Sequence, residues 1–382
     1  MRRITDLVKT QKSFFKVCTK PIQHQINLWK THLPSIQPHY AVKCNNDPKL
    51  ITTLAQNDIN FDCASYGEIK QILELGINAN RIIYANPYKN RVDIEYAIEN
   101  KINLTVVDSV EELEKLKDKK IETLIRVKVE DKESLMPFSS KFGSSYEETI
   151  DILKLAKKFN MNISGFSFHV GSGCYNSSQY YEAVKLIYNI INKTKYLNHN
   201  YKIVDIGGGF SGESDEQFID QANMINKGLQ LFNSSPSVSN SITKSSGLTF
   251  ISEPGRFFMT KSHTLYVPII AKRKTNGKIF YIVDESVYSS FSNITYDLAK
   301  PKLDLMITSK NNQINSKTNN VSYEYESIIF GRTCDSADKI MELKLPELEV
   351  GDYFEIKDMG AYTTVSSTNF NGFDTTEKVY LC

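Results

Sequence analysis

Residues 39–75 read HYAVKCNNDPKLITTLAQNDINFDCASYGEIKQILEL and contain the pattern that decides the fold. Two short β-rich segments, 39–42 and 60–63, are each followed by a stretch with apolar residues at three- and four-residue spacing. That spacing is typical of an amphipathic helix. The order strand, helix, strand, helix indicates βαβ units and a parallel sheet.

The same alternation continues to about residue 258. The predicted strands are 39–42, 60–63, 82–85, 103–107, 123–129, 163–169, 202–206 and 248–252. The predicted helices between them are 48–56, 66–75, 89–99, 110–117, 145–159 and 178–191. Eight strands separated by helices favour a (β/α)8 TIM-like barrel over an open doubly wound sheet.

Beyond residue 259 the pattern changes to alternating strands with turns and few long helices. The predicted strands there are 262–270, 278–284, 323–330 and 353–356, and two Ser/Asn-rich stretches, 233–247 and 309–320, are predicted to be surface loops. We therefore expect an α/β protein with a barrel over residues 19–262. A second, C-terminal β-rich domain over 263–382 is expected to include the N-terminal segment 1–18.

Composition and charge narrow the function classes. The 382 residues are 41% hydrophobic and 24% charged, which argues against a disordered, collagenous or coiled-coil protein. Lys and Arg number 46 and Asp and Glu 44, without a long block of like charge, so no nucleic-acid partner is expected. No apolar run approaches the roughly 20 residues that span a bilayer, and residues 1–12 lack the apolar core of a secretory signal. We expect no membrane partner and a cytoplasmic location.

The cysteines are scattered singly, without C-x-x-C pairs or framework spacing. Neither disulfides nor a metal site is predicted from this spacing, although individual thiols remain available for chemistry. The six positions are Cys18, Cys44, Cys63, Cys174, Cys334 and Cys382.

A glycine-rich turn follows the seventh predicted strand. Residues 205–212, DIGGGFSG, satisfy the spacing G-x-G-x-x-G of dinucleotide-binding sites. Such sites also have an acidic residue about 20 positions later, yet 225–244 contains none. In barrels the loops after strands 7 and 8 commonly bind phosphate through backbone N–H groups. We therefore expect a phosphate site, with a plain tight turn and a dinucleotide site as alternatives, at Gly207, Gly208 and Gly209.

Three charged residues at strand ends extend this hypothesis. Glu253 and Arg256 follow the eighth predicted strand, and Lys43 ends the first. Taken singly, the acid and the arginine could simply pair with each other, and the lysine could simply be solvated. Together with a phosphate site they suit pyridoxal phosphate, which takes an amine for a covalent bond, a cation for its phosphate and an acid beside its ring nitrogen.

The chain resembles eukaryotic-type ornithine decarboxylase, within the pyridoxal phosphate decarboxylases that share the alanine-racemase-like barrel. The resemblance runs almost end to end. It rests on PHYAVKCNNDP (38–48), FDCASYGEI (61–69), RIIYANPYK (81–89), SKFG (140–143), FHVGSGC (168–174), VDIGGGFSG (204–212), SEPGRFF (252–258), TYDLAKP (295–301), GRTCDSAD (331–338) and MGAYT (359–363).

The resemblance implies a role for each matching residue of the cofactor site. Lys43 matches the lysine that bonds covalently to pyridoxal phosphate, and Glu253 matches the acid that keeps the pyridine nitrogen protonated. His169 matches the imidazole stacked on the cofactor ring, although a histidine at a strand end is more often a core residue. The other matches are the phosphate ligands Ser172, Gly207, Gly208, Gly209, Arg256 and Tyr362 and the lining residues Asp62, Glu68 and Arg126.

Cys334 and Asp335 match a pair that the partner subunit inserts into the site, which implies a homodimer with shared active sites. Cys334 matches the thiol that returns a proton to the α-carbon after decarboxylation. Asp297, next to Tyr296, and Asp335 would bind the distal ammonium of a basic amino acid from two subunits. The implied reaction converts L-ornithine to putrescine and CO2, the first step of polyamine synthesis. The implied catalytic residues are Lys43, His169, Glu253 and Cys334.

Two places depart from the family pattern. Arg332 stands where the family usually has proline, which suggests a looser loop or a cation close to the substrate. Residues 284–286, DES, replace the usual Asn-Asp-Gly. Three alternatives remain open: a decarboxylase of another basic amino acid, lysine or arginine; a catalytically silent regulatory homologue; and a racemase of the same fold, against which the Cys334 and Asp335 pair counts.

Overall fold

The computed structural model describes residues 4–233, 247–308, 314–316 and 324–382. Most of the two segments predicted to be surface loops, 233–247 and 309–320, lies outside the described residues. The chain forms two compact units. The sheet unit consists of Met1–Ile22 and Met259–Cys382, and the barrel unit consists of Gln23–Phe258.

The secondary-structure elements are numbered in chain order. The strands are β1 (Phe14–Val17), β2 (Ile36–Ala41), β3 (Asn60–Cys63), β4 (Ile82–Tyr84), β5 (Leu104–Val107), β6 (Glu122–Arg126), β7 (Ser134–Met136), β8 (Ile163–Ser167), β9 (Ser172–Cys174), β10 (Ile203–Asp205), β11 (Thr249–Ser252), β12 (His263–Thr275), β13 (Lys278–Val283), β14 (Asp304–Thr308), β15 (Ile314–Ser316), β16 (Tyr325–Phe330), β17 (Lys339–Leu345), β18 (Tyr353–Ile356) and β19 (Glu377–Tyr380). The helices are α1 (Ile4–Val8), α2 (Lys20–His32), α3 (Pro48–Ala55), α4 (Tyr66–Glu74), α5 (Arg91–Glu99), α6 (Val110–Lys115), α7 (Tyr146–Lys158), α8 (Ser178–Lys193), α9 (Asp215–Asn233), α10 (Arg256–Met259) and α11 (Ser292–Tyr296). Within the described ranges, none of these helices combines the length and the apolar character that a membrane crossing requires.

The barrel unit contains a closed parallel barrel. Its strands follow the order β2, β3, β4, β5, β6, β8, β10 and β11, and β11 pairs with β2 to close the ring. The predicted (β/α)8 barrel is confirmed, and the dinucleotide alternative, which needs an open sheet, is wrong. Buried aliphatic side chains from four of the strands form one core cluster, namely Ile83, Val106, Leu124 and Ile251.

Local capping explains where several helices of the barrel unit begin. The side chains of Ser65, Ser109 and Ser145 accept hydrogen bonds from the backbone N–H three residues later, at the starts of α4, α6 and α7. Asp47 does the same for α3, where Pro48 occupies the first turn. These caps satisfy N–H groups that would otherwise lack partners, so each of these helices begins at a defined residue.

The sheet unit is built around a nine-stranded sheet. Its main path is β15, β14, β18, β12, β13, β16 and β17, while β1 pairs with both β12 and β19. The predicted β-rich C-terminal region is therefore present, although β1, β14, β15, β17 and β19 were not predicted, and β15 lies in the stretch 309–320 that was expected to be a loop. The core of this unit includes Leu7, Val8, Phe14, Tyr266, Met306 and Tyr353.

The prediction of no disulfides is wrong, because Cys18 and Cys382 form one. The parallel pairing of β1 with β19 sets Val17 opposite Tyr380. The two cysteines follow these strand ends, and their Cα atoms lie 5.1 Å apart, within the range of disulfides. Sequence spacing missed the pair because 364 positions separate the two residues.

His39 in β2 gives the barrel a pH dependence. Burial lowers the pKa of this imidazole to about 4 from an ordinary value of 6.5. As the pH falls below 6.5, His39 takes up a proton in the unfolded chain but not in the folded protein, which favours unfolding. The contribution of His39 to stability is therefore complete above pH 6.5 and is lost progressively between pH 6.5 and about pH 4. Between pH 7 and pH 5 the loss is about 2 kcal/mol at 1.36 kcal/mol per pKa unit.

The free energy of unfolding, measured in urea, is expected to fall from pH 7 to pH 5 in both proteins. We expect this fall to be about 2 kcal/mol smaller for His39→Gln than for the wild type. The difference between the two proteins isolates His39 from the other titrating groups. Parallel pH curves for the variant and the wild type would contradict the assignment.

Candidate active site

The residues predicted to bind the cofactor from the barrel unit lie at the carboxyl ends of its strands. Lys43 lies in a single 3-10 turn, Val42–Cys44, directly after β2, not at the strand's end as predicted. Since parallel strands end at one face of a barrel, the strand positions bring these side chains together there. The others lie near the ends of their strands or just after them: Asp62 in β3, Arg126 at the end of β6, His169 after β8, Gly207–Gly209 after β10 and Glu253 after β11. Strands β6 and β8 end earlier than the predicted bounds 123–129 and 163–169.

Lys43 and Asp62 form an ion pair. Lys43 Nζ lies 3.6 Å from Asp62 Oδ2, and the lysine side chain is 45% exposed while the aspartate is 2% exposed. Burial raises the pKa of Asp62, and the charges of Lys43 and Arg126 oppose that effect. The amine of Lys43 thus stands at the open end of the barrel, and a buried carboxyl group orients it.

Glu68 lies in the first turn of α4, after the same strand as Asp62. Its Oε2 accepts a hydrogen bond from the N–H of Ala64 at 2.7 Å. Burial raises the pKa of Glu68, and the charge of Asp62 adds to this. The predicted lining residue is therefore held by the backbone that follows β3.

The glycine turn after β10 is closely packed. Gly207 has φ of 63°, and a Cβ there would lie 2.0 Å from the carbonyl oxygen of Phe168. A Cβ on Gly208 would lie 2.8 Å from His169 Nε2 and 2.7 Å from the carbonyl oxygen of Glu253. Only glycine fits, so backbone, His169 and Glu253 approach one another closely at this turn.

Arg256 contacts another residue of the predicted phosphate site. Its Nη2 donates to Ser172 Oγ at 3.2 Å. Ser172 begins β9, which pairs with β7 in a two-stranded sheet that was not predicted. A guanidinium group, a hydroxyl group and a glycine turn provide the donors that phosphate oxygens accept from.

Glu253 is a buried acid among other acids. Burial raises its pKa well above the ordinary value, and the charges of Asp205 and Asp62 raise it further, while Lys43 opposes them. Asp205 is also fully buried, its pKa is raised by burial to about 6, and it accepts from the N–H of Gly207 at 2.8 Å. A cationic group beside Glu253 would offset the cost of burying these carboxyl groups.

The environment of His169 disfavours a charge on its imidazole and fixes the orientation of the ring. Burial, followed by the charges of Arg126 and Lys43, lowers the pKa of His169 well below its ordinary value. Its Nδ1 accepts from the N–H of Gly171 at 2.9 Å, and the ring of Phe138 packs against it edge-on at 4.9 Å. The imidazole therefore has a fixed orientation, as a ring that stacks on a planar ligand requires.

The family pattern described as "Pyridoxal-dependent decarboxylase, pyridoxal binding domain" matches residues 19–260. The chain belongs to the pyridoxal-dependent decarboxylases. An ornithine decarboxylase of Schizosaccharomyces pombe is 38% identical over 375 residues, which is 97% of this chain and 83% of the relative. The solved arginine decarboxylase of Paramecium bursaria Chlorella virus has a TM-score of 0.89 and 31% identity over 99% of both chains. An antizyme inhibitor 2 of Xenopus laevis is 34% identical over 89% of this chain and 75% of the relative.

Pyridoxal phosphate is the cofactor of this decarboxylase, and the barrel residues fit it. Lys43 supplies an amine at the open end of the barrel, and Arg256 with Ser172 and the glycine turn supplies a cradle for phosphate. Glu253 supplies a buried acid whose ionised form is stabilised by a protonated ring nitrogen. When bound, the cofactor supplies an electron sink for cleavage of the bond to the carboxyl carbon.

The remaining predicted site residues belong to the sheet unit, and their place beside the cofactor stays a prediction. Cys334 is exposed, and its N–H donates to Asn371 Oδ1 at 2.9 Å. Asp335 accepts a hydrogen bond from the hydroxyl of Tyr288, which lowers the pKa of Asp335. The others are Tyr296, which is 65% exposed, Asp297, which is buried, and Tyr362, whose φ is 56°.

Sequence reasoning missed several residues that hold the predicted ones. Asp205 stands in the quoted glycine motif, so its position was visible but not its burial beside Glu253. Tyr180 Oη donates to the carbonyl of Gly208 at 3.0 Å from helix α8, and no motif marked it. Tyr288 holds Asp335 from 47 positions away. Such contacts leave no local signal because their partners meet only in the folded chain.

Proposed function

We propose that this decarboxylase converts L-ornithine to putrescine and CO2. The observation that carries the proposal is the grouping of the Lys43 amine, the Arg256–Ser172 cradle and the buried Glu253 at one end of the barrel. The 38% identity to an ornithine decarboxylase over 97% of the chain supports the choice of substrate.

Each role follows from the chemistry of the side chain. Lys43 would hold the cofactor covalently through its side-chain amine. Glu253 keeps a proton at the ring nitrogen, which makes the ring a better electron acceptor. His169, with its lowered pKa and fixed orientation, would pack on the ring face of the cofactor. Cys334 of the partner subunit returns a proton to the α-carbon after CO2 leaves.

The substrate's distal ammonium requires an anionic partner. Asp297 is buried at the end of α11, and the hydroxyl of Tyr288 donates to Asp335, which lowers the pKa of Asp335. We infer that the two carboxylates bind the ammonium from two subunits through charge-assisted hydrogen bonds. Such a clamp favours a diamino acid over a neutral one.

The test is CO2 release by the purified protein with pyridoxal phosphate. L-ornithine, L-lysine, L-arginine and meso-diaminopimelate are compared at equal concentration, and the amine product is identified by mass spectrometry. We expect release chiefly from ornithine, with putrescine as product. Preferred release from lysine or arginine would replace the substrate assignment and leave the cofactor chemistry in place.

Two alternatives rest on particular relatives. The likeness to a viral arginine decarboxylase keeps a longer basic substrate open, and the substrate comparison decides it. The likeness to an antizyme inhibitor keeps a silent regulatory homologue open. The presence of Lys43, Glu253 and Cys334 favours an active enzyme, and absence of CO2 release from every substrate would favour the regulatory protein.

The proposal includes a homodimer with shared sites in the cytoplasm. The cysteines Cys44, Cys63, Cys174 and Cys334 are thiols in the structure, which suits a reducing compartment, while the Cys18–Cys382 disulfide is unusual for one. Subcellular fractionation tests the location, and sedimentation tests the dimer.

Mixing two inactive variants tests the shared site. We expect Lys43→Ala and Cys334→Ala dimers, each nearly inactive, to recover up to about a quarter of wild-type activity after subunit exchange, because a mixed dimer regains one intact site. A mixture of Lys43→Ala with Glu253→Ala is the control, since both changes lie in the barrel and no mixed dimer has an intact site. No recovery in a mixture shown to exchange subunits would contradict sharing.

A further inference from the structure

Arg332 lies two residues before Cys334 and has partners on three sides. Its Nη1 is 2.9 Å from Asp284 Oδ1, and its Nη2 donates to the carbonyl of Asp374 at 3.2 Å. Its guanidinium carbon lies 4.4 Å from the centre of the Phe373 ring. Only 14% of the side chain is exposed. Asp284 of the same chain pairs with this cation, so the charge expected close to the substrate is balanced within the chain.

Asp284 is a rigid anchor for this arginine. It directly follows β13, and its N–H donates to the carbonyl of Pro268 at 3.1 Å. Its Oδ2 accepts from the N–H of Ser13 at 2.9 Å, and its carbonyl accepts from Ser13 Oγ at 2.7 Å. Since Ser13 immediately precedes β1, the carboxylate that binds Arg332 is fixed by two strands of the sheet.

The same arginine binds the segment that holds Cys334. Asn371 Oδ1 accepts from the N–H of Cys334, while Phe373 and Asp374 contact the guanidinium group of Arg332. We call residues 371–374 the bracing segment. We call residues 331–338 the Cys334 loop. The bracing segment contacts this loop at Cys334, through Asn371, and at Arg332, through Phe373 and Asp374. Release of Arg332 would remove the second contact.

We propose that Arg332, anchored on Asp284, is a positioning residue that holds the bracing segment against the Cys334 loop and so fixes the direction of the thiol. This inference rests on the proposed role of Cys334 as the proton donor. Proton transfer requires donor and acceptor in hydrogen-bond geometry, and a loop with several conformations spends less time in it. The two departures from the family pattern, at 332 and at 284, then act as one ion pair.

The test uses Arg332→Ala in the full-length enzyme with its cofactor. Two readouts are followed: hydrogen exchange of the amides of residues 333–335, and the ratio of aldehyde by-product to amine product. We expect the exchange rate to rise about 10-fold because the loop opens more often. We expect the by-product ratio to rise about 10-fold as well, with little change in KM, because the thiol is less often in position to protonate the α-carbon. Asp284→Asn is expected to act in the same direction.

The double variant identifies the ion pair as the cause. Arg332→Ala combined with Asp284→Asn is expected to be no worse than Arg332→Ala alone, since both changes remove one interaction. Lys339→Ala is the matched control, because its exposed ion pair with Glu342 follows the same loop. We expect it to leave exchange at 333–335 and the product ratio unchanged.

Arg332→Lys decides the question if the alanine variant does not fold. It retains a cation for Asp284 and loses the planar contacts to Phe373 and Asp374, so a smaller rise in both readouts is expected. If Cys334→Ala raises the by-product ratio and the Arg332 variants do not, the positioning role is overturned while the proposed function stands. If Cys334→Ala also leaves the ratio unchanged, the role of Cys334 fails and this inference fails with it.

Discussion

Lys43→Ala is expected to lower kcat/KM for decarboxylation by at least about 10⁴-fold, because removal of a covalent nucleophile has effects of this size or larger. The amine also forms the ion pair with buried Asp62, so the variant leaves that carboxylate without its nearest cation. We expect weaker retention of pyridoxal phosphate and loss of the visible absorbance that depends on its covalent bond to lysine. Stopped-flow CO2 detection and absorbance spectra measure the two effects.

Two further variants separate the covalent role from the electrostatic one. Lys43→Arg keeps a cation for Asp62 but forms no covalent bond, and it should be as inactive as the alanine variant. Lys70→Ala, which removes an exposed ion pair on α4, should retain wild-type turnover. If Lys43→Ala kept both its turnover and the absorbance that depends on the covalent bond to lysine, the assignment of Lys43 to the cofactor would be wrong.

Cys334→Ala is expected to lower putrescine formation by about 10²- to 10⁴-fold, the usual contribution of a positioned general acid. Without the thiol, protonation at the wrong carbon leads to abortive transamination, which yields an aldehyde and inactivates the enzyme. The aldehyde fraction should therefore rise and activity should decay during turnover. Product analysis by mass spectrometry with a time course of CO2 release measures both.

The neighbouring serine provides the matched control for this prediction. Ser336 is exposed in the same loop, and Ser336→Ala should leave the product ratio unchanged. Cys334→Ser, which keeps a weaker acid at the same place, should lie between the wild type and the alanine variant. Clean amine production by Cys334→Ala would assign proton return to another group.

The sequence predicted the barrel well because its signals are local. Each strand and its following helix differ in the spacing of apolar residues, and Ser65, Ser109 and Ser145 mark helix starts by bonding only three residues ahead. The sheet unit was predicted less completely. Strand β1 pairs Phe14 with Tyr266 and with Glu377, and such distant pairing does not appear in a short window of sequence.

The candidate site shows the same division. Lys43, Glu253 and the glycine turn were visible because each stands just after a strand in a recognisable pattern. The raised pKa of Glu253 was not visible in the sequence, because it results from burial and from the nearby charges of Asp205 and Asp62. Likewise, the sequence marked Arg332 as a departure but not its pairing with Asp284, 48 positions away.

By itself, then, the sequence determined the barrel, the family and the residue types that bind pyridoxal phosphate, because periodicity, capping and glycine turns act over a few residues. Tertiary structure alone decided which acids are buried together, which partner neutralises Arg332 and that Cys18 meets Cys382. Those outcomes depend on strand pairing between distant segments and on exclusion of water. Neither is encoded in the spacing of neighbouring residues.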